Sequence, residues 1–406
     1  MTRDDRFAAS ASAGSKPVSQ AALGLYYFAF FAAMGAYFPY MPAWLQARGF
    51  SASEISLVAA LFPALSVVAP PVFGVLADAL GLRGAIVRVA SLGASLAMFS
   101  LAWTSSDGVV AFWSVFGLVL VFTFLRTPMQ QMGDVIALEQ HASRYGQLRM
   151  WGSVGFLVAA PLVGRWIALD PAWHLIAWIA GALLLVHVVS WRLPGRTSLP
   201  PPPMLSEALR LLRRPSFGWF LLTAALAQAS HAAYDLCLTL HLVEMGASGS
   251  LVGVAWAIGT GAEVVLMAYS TSWLRQATLP VWLLISLAGS VVRWALMGIV
   301  SDLTLLLMLQ PLHALSFGLR WLCSLLLVRR FATEATLATG QGLFLAAHAL
   351  GGASGMLLWG QVYDRQGGAQ VFQWAALVAA FSVVSGIFLF QRASITSQRG
   401  RPLPER

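Results

Sequence analysis

Twelve long apolar runs constrain what this chain can fold into more than any other feature. A helix that crosses a bilayer needs about 20 apolar residues. Hydrophobic residues make up 58% of the 406 residues and charged residues only 10%, against about 25% in a soluble domain. The pattern predicts an all-α membrane protein with twelve transmembrane helices, at residues 20–45, 54–79, 85–104, 109–138, 145–168, 172–192, 216–243, 251–274, 279–300, 303–328, 337–362 and 369–391.

The longest polar stretch divides the runs into two groups of six. It spans residues 193–215 and holds four consecutive prolines, Pro200 to Pro203, which block helix continuation and stiffen the chain. We therefore expect a cytoplasmic linker between one six-helix bundle at 20–192 and a second at 216–391. Residues 1–19 and 392–406 are predicted to be cytoplasmic tails, and the first is expected to be disordered because it has no apolar core.

The ends of the first and seventh runs resemble each other. Leu45 is followed by Gly49 and Ser51, and Leu242 is followed by Gly246 and Ser248, an offset of 197 residues throughout. Helix ends favour glycine and serine in any protein. The position after runs one and seven, however, is what a parallel repeat of six helices requires.

The charge distribution predicts an orientation in the membrane. The net charge is +9, and 24 of the 25 basic residues are arginines that lie in short clusters between apolar runs. No basic stripe with interleaved aromatic residues is present, so lipid head groups and not nucleic acid are the expected partner. With the N-terminus inside, 18 basic residues lie in cytoplasmic segments and three outside. Cytoplasmic loops carry an excess of basic residues, so both termini are predicted to lie in the cytoplasm.

Five ionisable residues interrupt the apolar runs: Asp134, Arg149, Glu263, Arg293 and His313. A charge at the middle of a spanning helix costs about 2.5–3.5 kcal/mol on insertion scales, so each needs a partner or a water-filled cavity. If the two halves face each other across a cleft, these residues outline one polar site. That arrangement indicates a path for a solute.

A glycine-containing segment joins the second and third runs. It holds Gly74, Asp78, Gly81 and Arg83. The glycines permit a tight turn, and the carboxylate can cap the next helix or pair with a nearby arginine. Together with the twelve runs and the linker, the segment resembles the loop signature Gly-x3-Asp-x2-Gly-x-Arg of the major facilitator superfamily, although a basic residue usual after the aspartate is Ala79 here. The resemblance implies two six-helix bundles and a loop that takes part in conformational change.

The segment from Tyr145 to Phe156 reads YGQLRMWGSVGF. It resembles the fifth-helix signature shared by the phenylpropionate permease family and the lactose permease group of proton symporters. The resemblance implies that Arg149 binds substrate and that a fourth-helix carboxylate, here Asp134, is its partner. The position of Arg149 about one turn into its helix would also allow the side chain to reach the lipid head groups.

The second half extends the resemblance to the lactose permease group. Gly261-Ala262-Glu263 resembles the Gly-Glu of the eighth helix in that group, whose carboxylate binds the sugar, while Arg293 and His313 resemble the arginine and histidine of the ninth and tenth helices. The resemblance implies that Glu263 and Arg293 bind substrate. For proton coupling, Glu263 is the first choice, followed by His313 and Asp134.

Asp235 and His348 are predicted to form a structural charge pair between the seventh and eleventh helices. Tyr234-Asp235 resembles the lactose permease Tyr-Asp, and His348 stands where that group has the lysine partner. His231 lies about one turn before Asp235, where core packing or a hydrogen bond is favoured over a proton relay.

Two positions depart from the lactose permease pattern. Ser316 replaces the carboxylate that carries the proton, and Phe156 replaces the tryptophan that stacks on the sugar. A phenylalanine packs well against an aryl ring. Both departures favour the phenylpropionate branch over the disaccharide branch.

The sequence therefore predicts a secondary active transporter that takes up a small organic solute, an aryl carboxylate by preference, with a proton. A lactose-type sugar symporter and an efflux antiporter for apolar compounds are the alternatives. A phosphate-binding loop, a His-Glu-x-x-His zinc motif and a Gly-x-Ser-x-Gly nucleophile elbow are missing from the sequence. Cys237 and Cys323 lie far apart. We therefore expect no enzymatic activity, no cofactor and no metal, and a monomeric carrier.

Overall fold

The computed structural model describes residues 18–80, 82–104, 108–167, 171–193, 211–270, 274–332 and 336–398, and its regular elements in these ranges are all helical. Gly81, the side chain of Asp78, most of the predicted linker and most of both predicted tails lie outside the described residues.

Twelve helical segments coincide with the twelve predicted runs in the described ranges. The first six are α1 Gln20–Ala47, α2 Ala52–Leu80, α3 Arg83–Ser100, α4 Gly108–His141, α5 Tyr145–Ile167 and α6 Pro171–Ser190. The next three are α7 Pro215–Glu244, α8 Gly249–Ala268 and α9 Leu279–Ile299. The tenth is divided into α10a Leu303–Met308, a π-helical segment Ala314–Leu319 and α10b Arg320–Phe331, and α11 Leu337–Gln366 and α12 Gly368–Gln398 complete the fold. The predicted all-α class is confirmed.

Ten of the described helices are long and apolar enough to cross a membrane. The other two of the twelve are α7 and the divided tenth helix. In α7, polar side chains such as Gln228, His231 and Asp235 interrupt the apolar sequence. The tenth helix is divided by its π-helical segment into pieces that are each too short to cross a membrane.

The first compact unit comprises residues 1–41 and 68–201. Within it, α3 packs against α4 and α6. The helices α1 and α5 approach so closely that a Cβ on Gly35 would lie 2.8 Å from the Phe156 carbonyl oxygen, and a Cβ on Gly155 would clash with the Phe28 carbonyl oxygen. Glycine is therefore required on both helices at this contact.

The second unit comprises residues 42–67 and 202–406. Here α7 packs against α11 and α12, and α9 packs against α12. Gly351 and Gly355 bring α11 against the backbone of α7 at Ala225 and Ala229.

Residues 42–67 belong to the second unit, although the predicted boundaries group them with the first six helices. The Asp364 carboxylate of α11 accepts hydrogen bonds from the backbone N–H groups of Ala52 and Ser53, at 2.7 and 2.8 Å, and from the Ser53 hydroxyl. Gly360 of α11 also lies directly against Ser56. An acceptor supplied by α11 thus satisfies donors that the first turn of α2 leaves without helical partners.

The predicted repeat appears as the same local geometry at two helix ends. Gly49 has φ 82° and Gly246 has φ 86°. The next residue donates back across the turn in both cases, Phe50 to Leu45 at 3.3 Å and Ala247 to Leu242 at 2.9 Å. This is the Schellman end of a helix, which favours glycine. Ser51 and Ser248 then accept from the N–H groups of Glu54 and Leu251 and cap α2 and α8.

Candidate functional site

A buried arginine organises the polar cluster of the second unit. Arg293 of α9 is 0% exposed. Its Nη1 donates to Ser316 Oγ at 2.9 Å and lies 3.3 Å from His313 Nδ1, while its Nη2 donates to Gln310 Oε1 at 3.1 Å. All three partners lie in residues 303–331, the tenth helical region. One guanidinium therefore links α9 to this region by hydrogen bonds.

Aromatic rings surround the same guanidinium. Its Cζ lies 4.4 Å from the ring centroid of Tyr234 and 4.7 Å from that of Trp294. Cations are attracted to ring faces, more strongly where water is excluded. Both rings are buried, so they help to stabilise a charge that would otherwise be costly in apolar surroundings.

His313 joins this cluster to Glu263. His313 Nε2 lies 3.5 Å from Glu263 Oε2, with 10% and 24% of the two side chains exposed. Because Arg293 can only donate, Nδ1 of His313 is the acceptor and Nε2 carries the hydrogen that points toward Glu263. A proton added to His313 would be on Nδ1 and would place an N–H opposite the N–H groups of Arg293. The Glu263 carboxylate is therefore the more favourable site for an added proton.

The π-helical segment Ala314–Leu319 positions these groups. It begins directly after His313 and contains both Ser316 and Gly318. A Cβ on Gly318 would lie 2.8 Å from Glu263 Cγ, so the missing side chain leaves the space that the glutamate occupies. Single-turn π segments occur frequently at functional sites.

The structure does not form the predicted contact between Asp235 and His348. Asp235 Oδ1 lies 3.6 Å from His231 Nε2, and Oδ2 accepts from Gln228 Nε2 at 3.3 Å. The ring of His348 packs 5.2 Å from that of Trp321, and its Nδ1 has no hydrogen-bond partner among the described residues. His231, one turn away on the same helix, is therefore the neighbour of Asp235, where the sequence predicted His348 of α11.

In the first unit, two tyrosines hold Asp134. Asp134 Oδ1 accepts from the hydroxyl of Tyr27 at 2.8 Å and from that of Tyr145 at 3.1 Å. The aspartate is half-buried. Two hydroxyl donors stabilise a carboxylate in apolar surroundings without neutralising its charge.

Arg149 lies over an aromatic ring. Its Cζ is 3.9 Å from the ring centroid of Phe31 on α1, and the side chain is half-buried. A Cβ on Gly152 would lie 2.8 Å from Arg149 Nη1. Among the described residues no ion pair joins Arg149 to Asp134, so the predicted direct pairing is not formed. Asp134 instead accepts from the two tyrosines, and the Arg149 guanidinium lies on the ring of Phe31.

The remaining predicted residues lie at two further places in the first unit. Phe156 is half-buried on α5, with its backbone against Gly35. Gly74 is part of α2, and Arg83 at the start of α3 forms an ion pair with Glu139 of α4 at 2.6 Å. Glu139, a residue of the fourth helix that the sequence did not suggest, is thus an acidic partner of Arg83.

Sequence reasoning brought together Glu263, Arg293 and His313, of which His313 lies beside both others. It missed the uncharged groups that bond to the charged residues of the two units, namely Tyr27 and Tyr145 at Asp134, Gln228 at Asp235, and Gln310 and the accepting hydroxyl of Ser316 at Arg293. Tyr145 opens the quoted fifth-helix motif, so its place one turn before Arg149 was an available signal. Within the described ranges, no group of three His, Cys, Asp or Glu residues is arranged to hold a metal ion.

Comparison with known proteins gives consistent matches along the chain. The model of the MFS_1 like family matches residues 21–374. The protein named "Probable 3-phenylpropionic acid transporter" of Escherichia coli (strain K12) is 30% identical over 77% of this chain and 82% of its own length. The maltose permease of Geobacillus stearothermophilus is 26% identical over 91% and 94%. A crystal structure of the nucleoside transporter NupG has the same fold, with TM-score 0.80 at 16% identity over 92% of this chain and 99% of that one.

Proposed function

Because this chain belongs to the MFS_1 like family and is a transporter of the major facilitator superfamily, we propose that it takes up a small organic acid together with a proton. The substrate class is an aryl carboxylate of the phenylpropionate type. The carrier works as a monomer in the bacterial inner membrane, with both termini in the cytoplasm and an ion gradient as its source of energy.

The state of Arg149 is the observation that carries the carboxylate assignment. The guanidinium is half-buried over Phe31 and forms no ion pair within the described part of the chain. A guanidinium binds a carboxylate through two parallel hydrogen bonds. Phe31 supplies an apolar ring beside it on α1, and Phe156 supplies a half-buried ring about two turns further along α5. The similarity to a relative named for a phenylpropionic acid supports the same class of substrate.

The Glu263–His313 couple supports proton coupling. Glu263 is the partly exposed member, and Arg293 restrains the histidine from the other side. A carboxylate beside an imidazole can exchange a proton with it directly or through one water. Arg293 supports the substrate site by holding this couple, and Asp134 is the residue to examine if Glu263 carries no proton.

The segment containing Gly74, Asp78, Gly81 and Arg83 is proposed to act in conformational change. Arg83 is tied to Glu139 of α4 in this structure. Because the Arg83 side chain is only 5% exposed, the pair can break in a conformational change only if the released guanidinium regains water or another partner.

A disaccharide symporter is the second candidate, favoured by the similarity to a maltose permease along nearly the whole chain. An efflux antiporter for apolar compounds is the third. The three differ in what accumulates and on which side, so one assay separates them.

The test is transport by purified protein in proteoliposomes with an imposed pH gradient, alkaline inside. We expect labelled 3-phenylpropionate to accumulate faster than in protein-free liposomes, where only its neutral form crosses the bilayer, and the accumulation to stop when a protonophore removes the gradient. Accumulation of maltose in place of the acid would support the sugar symporter. Loss of preloaded compound against its gradient would support efflux.

A further inference from the structure

A second carboxylate–imidazole couple lies beside the first in the second unit. His231 Nε2 is 3.6 Å from Asp235 Oδ1, and His313 Nε2 is 3.5 Å from Glu263 Oε2. In both couples the imidazole is nearly buried, with 3% and 10% of the side chain exposed, and both carboxylates are 24% exposed. The same arrangement of groups is therefore present twice, once on α7 alone and once between α8 and the tenth helical region.

The two imidazoles are in contact. Their ring centroids lie 5.3 Å apart, and each packs against the ring of Phe317, at 4.9 Å for His231 and 5.3 Å for His313. The order through space is carboxylate, imidazole, imidazole, carboxylate. A change of charge in one couple is felt by the other, because charges interact strongly where water is excluded.

No permanently charged side chain forms an ion pair with Asp235 among the described residues. Arg320 of α10b reaches it through Gln228, whose Oε1 accepts from Arg320 Nη2 at 2.8 Å and whose Nε2 donates to Asp235 Oδ2. Arg293 on α9 and His348 on α11 also face the couple. An aspartate bound directly to a lysine or arginine would be held ionised. Asp235 has no such direct partner among the described residues, since it contacts His231 and Gln228.

The geometry decides where a proton would reside. His231 Nδ1 is buried and has no hydrogen-bond partner among the described residues. A doubly protonated imidazole would leave that N–H unsatisfied, which is costly in apolar surroundings, and would add a third positive charge beside Arg293 and Arg320. The partly exposed carboxylate of Asp235 meets neither obstacle.

We propose that Asp235 is a second proton-binding residue of this transporter, held beside the Glu263–His313 couple by His231. An O–H bond forms on the carboxylate with a proton taken from water, and it breaks when the proton returns to water. The inference rests on the proposed function only in assigning these protons to transport. The binding of the proton itself can be measured without substrate.

Infrared difference spectroscopy of the purified protein tests the proposal when the titration is confined to neutral pH, where exposed carboxylates stay ionised, because a protonated carboxyl group has a C=O absorption that the ionised group lacks. We expect two titrating carboxylic acid bands in the parent. Asp235→Asn should lose one band and Glu263→Gln the other, and the double variant should lose both. Asp302→Asn is the matched control, since among the described residues Asp302 bonds only to the start of α10a, and it should keep both bands.

Two outcomes would overturn the inference: both bands persisting in Asp235→Asn, or a single parent band that only Glu263→Gln removes. A single band that only Asp235→Asn removes would support Asp235 and refute Glu263 as the carrier, so the two proposals fail separately.

A second measurement avoids any change at Asp235, in case its replacement prevents folding. Protein made with aspartate carrying ¹³C in the side-chain carboxyl shifts aspartic acid bands and leaves glutamic acid bands in place. With Asp134 replaced by Asn to remove the other half-buried aspartate of the two clusters, we expect one titrating band to shift. If no titrating band shifts in this labelled protein, Asp235 does not bind the proton.

Discussion

Arg149 and Arg293 both lie on aromatic rings, but their N–H groups have different partners. Arg293 is fully buried and donates to side chains of the tenth helical region. Arg149 is half-buried over Phe31 and is not in an ion pair within the described residues. We therefore propose that Arg149 binds the carboxylate directly and that Arg293 fixes the geometry of the Glu263–His313 couple.

Replacing Arg149 with Lys should lower uptake of 3-phenylpropionate at least tenfold, or about 1.4 kcal/mol. Lysine keeps the charge but loses the planar fork that binds a carboxylate through two hydrogen bonds. Initial rates in proteoliposomes give the measurement. Arg165→Lys, an exposed position on the same helix, is the control and should transport normally. Normal uptake by both Arg149→Lys and Arg149→Ala would instead favour a side chain that reaches the lipid head groups.

Ser316→Ala should lower stability by about 1 kcal/mol, because it removes an acceptor of the buried Arg293 guanidinium. Ser290→Ala is the matched control on α9. The Ser290 hydroxyl donates to backbone carbonyls, so its loss leaves no buried donor without a partner. Thermal unfolding in detergent should show the larger decrease for Ser316→Ala, and equal decreases would contradict this account of Arg293.

At the scale of helices, glycine determines how closely α1 and α5 pack. The Gly155 position faces the backbone of Phe28, which cannot move aside as a flexible side chain could. Small residues that let backbones approach are the usual basis of helix packing in membranes.

Gly155→Ala should therefore destabilise the protein by about 1–3 kcal/mol, the usual cost of overpacking. Gly146→Ala on the same helix provides the control, because no atom lies within 4 Å of its added Cβ and alanine favours a helix more than glycine does. Unfolding midpoints of the two variants are compared with the parent. A midpoint for Gly155→Ala at or above that of Gly146→Ala would show that the contact is looser than described.

The sequence predicts the helices better than it predicts the contacts between side chains. All twelve helices follow from apolar runs, and the matched helix ends at Gly49 and Gly246 follow from residue types that end helices. The π segment does not, because Ala314–Leu319 has no residue pattern that distinguishes it from an α-helix. Asp134 meets Tyr27 across 107 positions of sequence, and such a contact depends on how helices rotate about their axes. For the same reason the sequence did not show that Asp235 and His348 stay apart, whereas the approach of His231 to Asp235 follows from their spacing of one turn on α7.

For the whole molecule, the arginine clusters predict which side each terminus faces. Positive charge remains on the cytoplasmic side of the membrane, and 18 of the 25 basic residues lie on that side if the N-terminus is inside. A green fluorescent protein fused after Arg406 should therefore fluoresce, and alkaline phosphatase fused there should be inactive. Fusions after Ala247, which follows α7, should behave in the opposite way. Active phosphatase at the C-terminus would reverse the proposed orientation.

Proton coupling by Glu263 is the central claim, and one variant tests it most directly. Glu263→Gln resembles the protonated carboxylate permanently and keeps a similar shape beside His313. Glu54→Gln is the control, because within the described part of the chain this carboxylate bonds only to Ser51 at the start of α2. In proteoliposomes, Glu263→Gln should exchange 3-phenylpropionate at equal concentrations on both sides yet fail to accumulate it when a pH gradient is imposed, whereas the control should do both. Accumulation by Glu263→Gln at the level of the parent would contradict the account and assign the proton to another group.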